Sequence, residues 1–196
     1  MTSLRKTYHG LVDWISNAIA AVALVVSGYS LWTAKAGPKR QRQALLRDEL
    51  RGELAAIEEI LERTATELRE GKALTDVSGD MTSIGKRIAG FDGRIGVPYL
   101  SLSVLQAKMS IFSVECGGVQ SLNTRIAFSE ENVEKMQNAS RSNSRLESYL
   151  ASERTDLQSF ERARPAAIIR LQAELATLRR RNNDAIQVLN RADNRS

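Results

Sequence analysis

The chain has 196 residues, a formal net charge of +5, one cysteine, one histidine and 5% aromatic residues. A single Cys excludes an internal disulfide, and one His with one Cys excludes a zinc-type ligand set. Scarce aromatics, not interleaved with basic residues, argue against a binder of single-stranded nucleic acid.

Residues 1–10 form a short tail with Arg5 and Lys6. Residues 11–34 (LVDWISNAIAAVALVVSGYSLWTA) are one apolar stretch, with no charge between Trp14 and Trp32. At about 1.5 Å per residue those two rings lie about 27 Å apart on a helix, close to the ~30 Å of a bilayer's hydrocarbon. Trp at both edges suits the membrane interface, where the ring is buried and its N–H stays wet. The expectation is a transmembrane helix. A cleaved leader is disfavoured, because the apolar run exceeds the ~7–15 residues usual for one and basic residues follow at once.

Within the span, Ser16, Ala20, Ala23, Ser27, Ser30 and Ala34 follow in steps of four and three. Such a row of small residues lets another helix approach closely, and its 3.5-residue period implies a left-handed crossing. It is the candidate seam for a homodimer. Beyond the span, residues 35–43 are basic. Lys35, Lys39, Arg40 and Arg42 are candidates to lie on anionic headgroups. Together with Arg47 they outnumber Arg5 and Lys6, so the positive-inside rule puts the C-terminal side in the cytoplasm.

Residues 44–196 read as a helical domain. Gly37-Pro38 is expected to separate the span from a new helix, Pro being favoured in a first turn. That helix carries Leu46, Leu50, Leu54, Ile57, Leu61, Thr64 and Leu68 on one row and stops at Gly71. Residues 71–98 form a Gly-rich loop with a short helical segment near 81–89. Gly79 and Gly85-Lys86 miss the spacing of a phosphate loop, and Arg87 stands where Ser or Thr is required.

From Tyr99 the row Leu102, Leu105, Met109, Phe112, Cys116, Val119, Leu122 and Ile126 predicts another helix. It passes Gly117-Gly118, where two glycines cost a helix about 1–2 kcal/mol. Close packing of a neighbouring helix on that bare backbone is the expected compensation. Cys116 lies on the apolar row and reads as a buried, inert thiol. A turn is expected near 138–143, then a capping box at Ser144-Arg-Leu-Glu147. Pro165 should kink or end the helix that follows.

The last helix has the clearest period: Ile168, Leu171, Leu175, Leu178, Asn182, Ala185 and Leu189. This is a coiled-coil seam, and an Asn in such a seam can fix register and partner number. The alternative, slightly preferred, is an amphipathic helix that closes an intramolecular bundle. Arg179-Arg180-Arg181 reads as a solvated face, with acidic neighbours, more readily than as a nucleic-acid contact.

No catalytic, cofactor-binding or metal-ligating constellation is visible. The expected fold is all-α: one N-terminal transmembrane helix followed by a long-helix bundle or coiled coil. The plan resembles bacterial single-pass membrane proteins with a cytoplasmic helical domain, through DWISNAIAAVALVVSGYSLW, RDELRGELAAIEEIL and the later FDGRIGVPYLSLSVL. That resemblance implies an inner-membrane location and no particular activity. The expected role is a non-enzymatic scaffold, sensor or tether with an unknown protein partner. The rivals are an envelope-spanning or phage-type lysis component with a periplasmic coiled coil, and a membrane-tethered enzyme lacking a recognisable motif.

Overall fold

The computed structural model describes the backbone of residues 3–140 and 146–194, and side chains at 24–27, 30, 39–139 and 146–194. The described residues are helices and connecting turns, without a strand. In chain order they are α1 (Ser3–Glu70), α2 (Ser78–Ala89), α3 (Leu102–Ser140) and α4 (Leu146–Asp193). The fold is all-α. The chain divides into two compact units, residues 1–45 and 46–196.

In the first unit the backbone is helical through 37–38, where the sequence predicts a break. Side chains at Trp14, Ser16, Ala20, Ala23, Trp32, Ala34 and Lys35 lie outside the described residues, so most of the expected span does too. Leu24, Val25 and Val26 are described, and they are 75%, 72% and 57% exposed. Among the described residues, no helix is long and apolar enough to cross a membrane.

The second unit is a helical bundle. The apolar row of α1 packs inward, with Leu50, Leu54, Ile57 and Leu61 fully buried. Gly71 ends the helix as its spacing predicts. It takes φ +66°, where a side chain would be strained. Its N–H reaches the Leu68 carbonyl and the Lys72 N–H reaches that of Glu67, so two orphan carbonyls are capped. The Gly-rich stretch folds back as α2, which buries Met81, Ile84 and Ile88. Gly93 and Gly96 take φ +68° and +69° in the turn that leads to α3.

α3 and α4 run antiparallel for most of their length. Lys108 meets Glu174 at 3.3 Å and Glu115 meets Arg170 at 3.4 Å. Further along, the Arg125 guanidinium lies 5.6 Å from the Phe160 ring centre, and the Asn132 amide donates to Glu153 at 3.2 Å. α1 and α2 accompany only part of this pair. The described helices therefore give two regions. One is a multi-helix bundle in which Phe112, Leu171 and Leu178 are fully buried. The other is a two-helix hairpin beyond Val119, where Ile126, Ser129 and Leu150 are the buried side chains among the described residues.

Two expectations about α3 and α4 need correction. A Cβ placed on Gly117 or Gly118 would meet nothing within 4 Å, so no neighbouring helix packs on them. The pair lies on the outer side of α3, where the row from Cys116 to Val119 turns inward around them. Nor does Pro165 end its helix, since α4 continues from Leu146 to Asp193. Pro165 is exposed, so the carbonyl it leaves unpaired faces solvent. The box at Ser144 lies outside the described residues, and α4 begins two residues later, at Leu146.

Candidate interaction surface

The seam of the last helix lies inside the chain's own bundle. Leu171, Leu175, Leu178, Ala185 and Leu189 are in the core, and Ile168 packs partly buried against it. Asn182 is fully buried among them. Its side-chain amide donates to the Leu54 carbonyl of α1 at 3.0 Å. Its Oδ1 is buried with no hydrogen-bond partner. An unpaired buried acceptor costs about 1–3 kcal/mol, so Asn182 fixes how α4 sits against α1 at some expense in stability.

Ion pairs flank this contact on both sides. Arg179 lies 2.8 Å from Glu58 and 2.6 Å from Glu62. At the other end Asp193 meets Arg47 at 2.9 Å and also pairs with Arg51. The hydrogen bond that Arg51 donates to the Asp193 carboxylate holds its guanidinium above its ordinary range. Arg47 is buried, so its pairing with Asp193 offsets a desolvation cost rather than adding a surface contact. The arginine run 179–181 is thus tied into the fold at its first member.

Cys116 is buried and free. Burial, with smaller contributions from Glu67 and Asp76, pushes its thiol up to about 11. It stays protonated near neutral pH and is a poor nucleophile. Nearby, the Glu67 carboxylate accepts from the Thr75 hydroxyl at 2.6 Å and from its backbone N–H at 2.9 Å, pinning the loop after α1.

An open groove of about 450 Å³ runs between α2 and α3. Lys86 is the charged group on its wall, beside Thr82, Gln106, Ser110 and Ser113. The Gln106 amide is already committed to the Gly85 carbonyl, at 2.5 Å. With one cation and no carboxylate, imidazole or thiol on that wall, the groove holds no acid–base pair. Among the described residues, no cluster of three His, Cys, Asp or Glu could hold a metal ion.

Of the residues proposed to touch the membrane, Lys39, Arg40 and Arg42 are exposed, as are Ser27 and Ser30. Their counterparts Lys35, Ser16, Ala20, Ala23 and Ala34 lie outside the described side chains.

A further uncovered face lies along the outside of α3. Val104, Ala107, Ile111, Val114, Gly118, Ser121, Arg125 and Phe128 follow in steps of three and four along the outside of α3, and all are exposed. Val114 is 72% and Phe128 62% exposed. The spacing is visible in the sequence. Gly, Ser and Arg dilute its apolar contrast, and the stronger row beginning at Leu102 claims the helix.

Comparison with known proteins gives no match: no family model, no curated protein and no solved structure resembles the chain significantly. The resemblance to single-pass bacterial membrane proteins therefore rests on the sequence pattern alone.

Proposed function

We propose that the chain is a single-pass, membrane-anchored helical interaction protein that acts as a scaffold, sensor or tether of the bacterial inner membrane. The observation that carries the anchor is the exposure of Leu24, Val25 and Val26 in succession along α1. Consecutive helical residues point about 100° apart, so three in a row cover most of the helix circumference. A helix that is apolar all round suits lipid rather than one side of a globule. The uncharged run between Trp14 and Trp32 supports the same reading.

In this reading Ser16, Ala20, Ala23, Ser27, Ser30 and Ala34 offer a seam for a second span. Lys35, Lys39, Arg40 and Arg42 lie on headgroups of the cytoplasmic leaflet. The bundle presents its helical surface to a protein partner, and no chemistry is assigned to it.

The test is in two parts. Carbonate-washed bacterial membranes should retain the full chain and release a Val22→Arg, Val26→Arg variant. A wild-type chain found in the supernatant would refute the anchor. A cytoplasm-active reporter fused after Ser196 should give signal. Signal only from a periplasm-active reporter would reverse the orientation and favour the envelope-spanning reading.

A further inference from the structure

The exposed row on α3 has an internal symmetry. Turning a second α3 antiparallel about a point level with Cys116 brings large members of the row opposite small ones in its inner layers, Ala107 facing Arg125 among them, and leaves an apolar large-on-large layer at each end. Val104 falls opposite Phe128 of the second copy, Ile111 opposite Ser121, and Val114 opposite Gly118. Each pairing joins the first and fourth positions of the heptad, as an antiparallel helix pair requires for knobs to enter holes. Facing large side chains with small ones is how such layers fill without clash.

Two further observations point the same way. Gly117 and Gly118 sit in mid-helix with open space where a Cβ would be. Among the described residues nothing packs on them to offset their cost to the helix. A second α3 would, because Val114 of each copy would lie on the bare backbone of the other. The row is also nearly free of charge. Its one ionised member, Arg125, is drawn sideways over the Phe160 ring.

We propose that the chain forms a reversible dimer through an antiparallel contact between the outer faces of two α3 helices. The row spans 25 residues, about 36 Å of helix. With a helix about 10–12 Å wide, the contact removes roughly 700–850 Å² in total, below the ~1,000 Å² of a stable interface. That size fits a dimer in exchange with monomer rather than an obligate one. The inference rests on the bundle's being an interaction module and does not depend on the anchor.

The experiment uses the full chain in detergent micelles. Sedimentation equilibrium should show a monomer–dimer equilibrium. Val114→Glu should weaken it by about tenfold or more with unchanged helicity. Copies carrying Ile111→Cys, mixed with copies carrying Ser121→Cys and oxidised, should give mixed disulfide dimers, while Ile111→Cys alone gives few. A protein that is monomeric at every concentration would overturn the proposal. So would efficient self-crosslinking of Ile111→Cys, which marks parallel pairing. A dimer indifferent to Val114→Glu but lost in Ala20→Leu would overturn it as well, and would assign association to the membrane seam instead. Membrane retention is read separately, so failure of the anchor and failure of this contact are distinguishable.

Discussion

The multi-helix bundle and the two-helix hairpin are made from the same two helices, yet they are held differently. In the bundle, α3 and α4 contribute Phe112, Leu171 and Leu178 to a core closed by α1 and α2. In the hairpin, past Leu122, the same helices pair with each other among the described residues. Beyond Val119 their contacts are a cation over a ring, an Asn–Glu hydrogen bond and the buried Ile126 and Leu150. A helix pair cannot enclose a core, so apolar burial per residue falls as soon as the third and fourth helices end. Stability should therefore be graded along α3 and α4, with the hairpin opening at lower free energy than the bundle.

Truncation of the core should show that grading most strongly. Phe112→Ala should cost about 3–5 kcal/mol in chemical denaturation, whereas Leu150→Ala should cost no more than about 2 kcal/mol, because a two-helix site can collapse around the loss. Equal costs would break the distinction between the regions. Pro165→Ala comes next. It restores an N–H in the helix interior and should stabilise by up to about 3 kcal/mol. It should also slow amide exchange in residues 146–164, which would make the proline the joint between hairpin and bundle. Exchange left unchanged there would place the joint elsewhere.

Asn182→Leu should raise stability by about 1–2 kcal/mol, since it removes an orphaned acceptor from an apolar seam. A loss instead would mean that the contact with Leu54 outweighs the orphan. The smallest effect should come from Gly117→Ala, a gain of about 1 kcal/mol from helix propensity in open space. No gain would mean that the boundary needs its glycine within the monomer.

Much of this was legible in the residues. The rows of α1, α3 and α4 carry strong 3.6-residue contrast, and Gly71 and the helical segment of the loop announce themselves. Proline and glycine misled for a shared reason. Their costs are a few kcal/mol at most, and a long helix packed along its other face can bear them. The sequence expects a helix to begin at position 38, but α1 is helical across it, and of the kink or stop expected at position 165 the stop is absent, since α4 continues past it. Gly117-Gly118 was read as a place of close packing, because the sequence gives the glycines but not which way they face. The outer row of α3 was hidden for another reason: a surface meant for a reversible contact must stay soluble alone, and so cannot be uniformly apolar.

The hairpin also has a mechanical consequence. From Val119 α3 runs 21 residues past the bundle's edge to Ser140, about 32 Å at the usual rise. A tilt of only about 10° at its base would carry the tip roughly 6 Å, so the hairpin works as a lever arm. The α1–α4 contact behaves oppositely. Sliding it by one turn would break Asn182–Leu54 inside the core, although Arg179 and Asp193 would each keep one of their two partners, so the buried Asn pins a strut that resists axial shear. A lever mounted on a strut turns a small push at one end into a large displacement at the other.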